Sequence, residues 1–231
     1  MKFNNVRTVI WDCDGTIWHH DPAEIFIFAK KLGITSQEKI LELEKEFFEV
    51  ISEYNERFKT EIVTHRKIIE TIDEKMPILE YLGITATEFF ETWKNIDTTI
   101  LNPHVETCMQ MFQKKGIKNI VYTDWLRDSQ IRILKTYNLL QYIEAVYSSE
   151  GSYLKSSPKN QLSHFIKPSE KDSYLFIGKS SSDIFYAKKA GINLVWYNPN
   201  GKVYPEIYSS DTKISIIEIS DFKTLKKFFS A

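Results

Sequence analysis

An α/β fold, a parallel sheet covered by helices and interrupted by an all-helical block, is predicted by three observations on this 231-residue chain. The first is a short β-branched run, Val6 to Trp11, that reads as a buried strand. The second is a stretch of roughly eighty residues, from about 21 to 97, in which helix signals dominate. The third is a regular alternation of helix and strand patterns from Asn102 onward. Alternating elements with continuously apolar strands bury both sheet faces and so imply helices on each side.

Within the helical stretch, Ala23 to Leu32 carries a helix pattern that Gly33 stops. Thr35 and Glu38 have the spacing of a capping box. The helix they precede places Ile40, Leu43, Phe47, Ile51, Tyr54 and Phe58 on one stripe. Ile68, Ile69, Ile72 and Met76 continue the pattern, and Thr85 with Glu88 offers a second capping box before Phe89, Phe90 and Trp93. Such stripes are read as bundle core. In the second half, Pro103 opens a helix that Gly116 closes, and Ile117 to Tyr122 forms a strand ending at Thr123. A helix through Ile131 and Leu134, a strand Ala145 to Tyr147, and a helix begun by Pro158 follow. The strand Tyr174 to Ile177, a helix ending at Ala190-Gly191, and the strand Leu194 to Tyr197 come next. Ile214 to Ile219 and a basic-faced terminal helix complete the chain. The division expected is an α/β core of residues 1–17 and 98–231 around a helical domain of 18–97.

Composition narrows the function. The 30 Lys and Arg nearly balance the 31 Asp and Glu, so no global field favours nucleic acid or an anionic membrane. The aromatic residues lie on helical stripes and not in a basic stacking platform. No apolar run reaches the roughly 18 residues of a membrane span, and the Asp pair interrupts the only apolar stretch near the N-terminus. Two cysteines, Cys13 and Cys108, fit a reducing compartment, and a cytoplasmic location is expected.

In open parallel sheets, ligands bind beyond the C-terminal strand ends. Polar groups fall there four times: Asp12 with Asp14, Thr123, the Lys155/Lys159 region, and the loop from Gly178 to Asp183. A carboxylate at Asp12 can attack phosphorus, and Asp14 can protonate a leaving alkoxide and then activate water. Gly15 lets the backbone leave the strand sharply. The Thr123 hydroxyl and a lysine suit phosphoryl oxygens. Any one of these pieces alone reads as a turn or a solvated charge; their order along the chain points to a site.

Those residues carry a resemblance. VIWDCDGTIW resembles the hhhDxDGT first motif of the haloacid-dehalogenase-like (HAD) superfamily, and Asn119 to Thr123 resembles its second. SSEGSYLKSSPKNQL and FIGKSSSDIFYAKKAGINLVWYN are similar to the third and fourth motif regions. The resemblance implies a Rossmann-like HAD core with a helical C1-type cap, in a layout like that of phosphoglycolate phosphatases and nucleotidases. It implies hydrolysis of a small phosphorylated metabolite through an aspartyl-phosphate at Asp12, with Asp14 as acid and base and Thr16 steadying Asp14. The implied phosphate-binding lysine is either Lys155, which the spacing favours, or Lys159, which stands at the helix start. Gly15, Asp124, Arg127, Trp18 and His19 follow the first two motifs and are candidate substrate contacts, with Arg127 the candidate for an anion. His20 and Trp125 lie in the same segments. The implied cofactor is Mg²⁺, held by Asp12, the Asp14 carbonyl and Asp183.

The fourth motif departs from the family, with Gly178-Lys179 where the pattern has Gly-Asp. A cation about 4 Å from a metal position meets several kcal/mol of repulsion even at an effective dielectric of 20, so Lys179 weakens or replaces the metal. Two other readings follow. A metal-independent 2-haloacid dehalogenase shares the serine-rich loop but has no need of Asp14, because a halide leaves unprotonated. A catalytically degenerate binding or regulatory protein would be stabilised by ligand without turning it over.

Overall fold

The computed structural model describes residues 3–160, 166–204 and 214–229. Six parallel strands form one sheet: β1 (Thr8–Trp11), β4 (Lys118–Thr123), β5 (Ile143–Ser148), β6 (Tyr174–Gly178), β7 (Asn193–Tyr197) and β8 (Ile216–Ile219). Their spatial order is β5-β4-β1-β6-β7-β8. The chain therefore builds outward from β1 on one side and then returns to its other side. Trp11 sits opposite Val121 of β4 and Ile177 of β6, so the ends of β1, β4 and β6 meet at this reversal. A topological switch of this kind opens a crevice at the strand ends.

The strand pattern divides the core. Val9 and Trp11 face Val121, Leu175 and Ile177 beneath helices α6 (Val105–Lys114) and α7 (Arg127–Thr136). The next residue over, Ile10, faces Ile120, Tyr122 and Phe176 beneath α8 (Ser181–Ala190). Burial on both faces is what the near-continuous apolar strands require.

Between β2 (Trp18–His20) and β3 (Thr99–Leu101), which pair antiparallel, lie five helices. These are α1 (Glu24–Lys31), α2 (Gln37–Arg57), α3 (His65–Lys75), α4 (Ile78–Leu82) and α5 (Ala86–Asn95). They bury a cluster of their own, including Leu43, Val50, Phe58, Ile72 and Phe89, which Leu126 and Leu154 join from the sheet's loops. The segment after α2 is also sewn to the loop that carries Lys155. Val63 N donates to Ser152 O at 2.8 Å, Gly151 N to Val63 O at 2.8 Å, and Leu154 N to Phe58 O at 3.2 Å. No described helix is long and apolar enough to cross a membrane.

Several expectations are corrected. The Thr35–Glu38 box does not form, because Ser36 is the extended residue before the first helical turn, and this puts Glu38 one position too early. The Thr85–Glu88 box forms with both of its hydrogen bonds. Pro103 does not open α6: His104 adopts a left-handed conformation (φ 67°) and the helix starts at Val105. The first strand starts at Thr8 and the last at Ile216, each two residues later than the pattern suggests. The terminal basic segment is a 3-10 helix, Phe222–Phe228, that buries Phe222 and Leu225. The short pair β2/β3 has no strong sequence pattern and was not expected. Residues 158 and 159 form a turn, and the rest of the helix expected after Pro158 lies largely outside the described residues.

Candidate active site

Asp12 follows directly on β1, and its backbone N–H donates to Ile177 O at 2.9 Å, extending the sheet by one bond. The chain then turns. Cys13 O accepts from Thr16 N (3.0 Å) and Ile17 N (2.8 Å), and Gly15 takes φ 84°, which a residue with a Cβ rarely adopts. Thr16 Oγ1 donates to Asp12 Oδ2 at 2.9 Å, so it steadies Asp12 and not Asp14 as expected, because Asp14 turns to Trp18 and Gln130. Asn102 clamps the turn from outside the motif, donating to Thr16 O at 2.8 Å and Gly15 O at 3.3 Å.

Lys155 is buried and reaches two carboxylates, donating to Asp12 Oδ1 at 2.5 Å and Asp183 Oδ1 at 2.7 Å. Burial works against the Lys155 ammonium, but Asp12, Asp183 and Asp124 outweigh it and hold its pKa well above normal. Burial, reinforced by Asp183, pushes Asp12 up to about 8 despite Lys155. The other Asp183 oxygen is also taken: Oδ2 accepts from Lys179 N (2.9 Å), Ser180 N (2.8 Å) and Ser180 Oγ (2.7 Å), capping α8. Gly178 is obligatory, since a Cβ there would stand 2.6 Å from Asp183 Cβ.

Asp14 points away from this cluster. Its Oδ1 accepts from Trp18 Nε1 at 2.9 Å and lies 3.4 Å from His20 Nε2, while Oδ2 accepts from Gln130 Nε2 at 3.2 Å. Burial would raise its pKa, yet the His20 and Trp18 contacts hold it below the usual carboxylate value. His20 sits between Asp14 and Glu24 (Nδ1 to Oε1 3.0 Å); these partners overcome burial and raise it to about 10.

The remaining candidates separate. Thr123 is buried at the end of β4, its Oγ1 accepting from Trp125 N at 3.1 Å. Asp124 fixes the lysine loop, with Oδ1 accepting from Lys155 N at 2.7 Å and Ser149 Oγ at 2.7 Å. Lys159 does not join the cluster; it is exposed, with Nζ 5.5 Å from the centre of the Tyr153 ring. Arg127 does not face the cleft either, because Nε donates to Val146 O on β5 at 3.0 Å. Trp18 is fully buried and stacks on Tyr137 (6.5 Å), so only its N–H serves Asp14. His19 Nδ1 is held by Asn102 Oδ1 at 3.0 Å.

The metal expectation meets this donor set. Among the described residues no group of three or more His, Cys, Asp or Glu is placed to hold an ion. Asp12 and Asp183 are both bonded to Lys155. The Lys179 side chain lies over Gly15, its Cδ only 3.1 Å and its Nζ 3.7 Å from where a Gly15 Cβ would be. Its ammonium has no hydrogen-bond or ion-pair partner among the described residues, and burial, with Lys202 adding repulsion, lowers its pKa. These residues do not fit a magnesium ion, which needs several free hard oxygens in octahedral array.

Beside Asp14 opens a cavity of about 560 Å³ between the helices and the sheet, walled by residues of α1, α2, α5 and α7. Asn102, Gln130, Tyr54 and Glu24 belong to this neighbourhood without any motif. Only their placement by the fold reveals them, although Asn102 stands where the helical block gives way to the alternating pattern.

A family model for haloacid dehalogenase-like hydrolases matches residues 6–191. No curated protein matches the chain closely in sequence. Among solved structures, the chain is similar to a protein assigned as the HAD-hydrolase YfnB from Bacillus subtilis, bound to magnesium (TM-score 0.71, 17% identity, covering 97% of this chain and 98% of that one). It is also similar to a protein assigned as a phosphatase from Clostridium difficile (TM-score 0.62, 21% identity, 98% and 100%). A third is the 2-haloacid dehalogenase from Pseudomonas syringae pv. Tomato DC3000 (TM-score 0.56, 18% identity, 96% and 97%). At these identities the structures speak for the fold, whereas the family model covers most of the sequence. The chain belongs to the haloacid dehalogenase-like hydrolases.

Proposed function

We propose that this hydrolase is a phosphatase that cleaves a small phosphomonoester through an aspartyl-phosphate on Asp12. The observation that carries the reading is the second carboxylate. Asp14 is held apart from the Lys155 cluster, at the mouth of the cavity, with a histidine behind it. A leaving alkoxide needs a proton and a leaving halide does not.

In the first step an Asp12 oxygen bonds to phosphorus and the ester P–O bond breaks. The departing oxygen takes the proton of the Asp14–His20 pair through Asp14, which leaves that pair one proton short. In the second, Asp14 accepts a proton from water as that water attacks phosphorus, and the P–O bond to Asp12 breaks to release phosphate. Thr16 and Lys155 hold Asp12 in position throughout. Charge supports the role given to Lys179. With Asp12 ionised, as a nucleophile must be, Asp12 and Asp183 outweigh Lys155 by one negative charge, and a phosphoryl group adds more. The unpartnered Lys179 ammonium supplies the cation that makes entry of this group tolerable. Residues 18–97 act as a cap that shields the intermediate from bulk water.

Phosphate release from a panel of phosphomonoesters, with Asp12→Asn as the blank, tests the reading. Wild type is expected to turn over without added magnesium, and Lys179→Asp is expected to become magnesium-dependent. An identical magnesium dependence in the two would overturn the role given to Lys179. The donor set also suits a metal-independent dehalogenase, and chloride release from 2-chloropropionate without phosphate release from any ester would favour it.

A further inference from the structure

We propose that the cavity beside Asp14 selects a flat aromatic alcohol as the leaving group and rejects one bearing a second anionic group; this rests on the phosphatase reading above. The first support is shape and lining. The volume of about 560 Å³ exceeds what a phosphoryl group alone needs and suits a ring-sized ligand. Phe47, Tyr54, Trp93 and Trp125 line it, with Trp93 and Trp125 centred 4.2 Å apart and Phe47 edge-on to Trp93 at 5.0 Å. Phe48, on the same wall, is 63% exposed. Such walls accept another ring in offset or edge-on contact.

The second support is charge. Among the described residues, every cation lining the cavity is already engaged. Lys94 pairs with Glu91 at 2.7 Å, Arg132 donates to Ile96 O at 2.9 Å and Lys94 O at 3.2 Å, and His20 lies between Asp14 and Glu24. Glu44, in contrast, has no ion-pair partner among the described residues. A carboxylate or second phosphate on the leaving group would meet this unpaired charge with no free cation to offset it. The third support is polar. Gln130 and Thr98 line the cavity, and each buries a side-chain oxygen without a partner among the described residues. These are unmet acceptors on a wall otherwise suited to a ring, and they favour a ring that carries a hydroxyl or amine donor.

The test compares esters whose scissile bond is alike and whose remote group differs: 2-phenylethyl phosphate, ethyl phosphate and 3-phosphoglycerate. The kcat/KM for 2-phenylethyl phosphate is expected to exceed that for ethyl phosphate by at least about tenfold, with 3-phosphoglycerate the poorest of the three. Glu44→Lys is expected to raise kcat/KM for 3-phosphoglycerate relative to ethyl phosphate. Equal rates, or a preference for 3-phosphoglycerate in the wild type, overturn the inference and leave the phosphatase reading standing. If none of the three releases phosphate, the phosphatase reading fails on these esters, and the cavity is judged by binding. In a tryptophan-fluorescence titration, 2-phenylethylphosphonate binding more tightly than ethylphosphonate supports the aromatic site, and equal binding overturns it.

Discussion

The floor of the site and the walls of its cavity are built on opposite terms. On the floor, Asp12, Lys155 and Asp183 are sealed under the strand ends, and each of their charged atoms is bonded to another part of the site. On the walls stand aromatic rings, with Glu44, and side-chain oxygens of Gln130 and Thr98, that have no partner among the described residues. The floor resembles a finished structure, with charges placed by strand register. The walls leave valences open for something that enters from outside. In the proposed mechanism the chemistry belongs to the sheet and recognition to the helices inserted after β1.

Substitutions at the two places should therefore differ in kind. The largest effect is expected from Lys155→Met, which leaves two buried carboxylates without their cation and should cost about 3–5 kcal/mol in a urea titration. Lys159→Met, on the exposed side of the same loop, should stay within about 0.5 kcal/mol. Similar losses in both would erase the distinction between the two lysines. Gly178→Ala comes next. Its Cβ would press on Asp183, which is held from both oxygens, and a loss of about 1–3 kcal/mol is expected from overpacking. An unchanged Tm would mean that the floor can yield.

His20 stands at the border of the two regions and gives a pH signature. Its pKa is raised from 6.5 to about 10 by Asp14 and Glu24, against burial. The stability it contributes is fully present below pH 6.5 and is lost as pH rises toward about 10. The gap in Tm between wild type and His20→Gln should be widest below about pH 6.5 and should shrink steadily toward pH 10. A gap that does not change with pH would contradict the ion pairs. The smallest structural effect belongs to the wall. Phe48→Ser should move stability by no more than about 0.5 kcal/mol, because the ring is mostly exposed, while weakening 2-phenylethylphosphonate binding several-fold. A large drop in Tm would make Phe48 part of the fold instead.

The same contrast explains what was legible in the sequence. Continuously apolar strands and a carboxylate at the end of β1 are local patterns, so the parallel sheet and the placing of Asp12 and Asp14 could be read directly. Spacing alone left Lys155 and Lys159 open; burial separates them, because only the first can lie under the sheet and still reach Asp12. Arg127 illustrates the reverse. Its charge and its position after the second motif suggest an anion contact, but a nearby carbonyl on β5 claims its guanidinium. Asn102, Gln130 and Glu44 carried no signal, since their roles arise from contacts across some 80 to 120 residues of chain or from a cavity that exists only after the helices dock. The capping boxes show how fine the limit is: one residue of shift at Ser36 undid the first, and the second formed as spaced.

The central claim is that Asp12 carries the phosphoryl group. A rapid acid quench of the wild type during turnover of its fastest ester, followed by peptide mass analysis, tests it most directly. One phosphoryl group is expected on the peptide containing Asp12, and neither adduct nor phosphate release in Asp12→Asn. Phosphate release that persists in Asp12→Asn would contradict it.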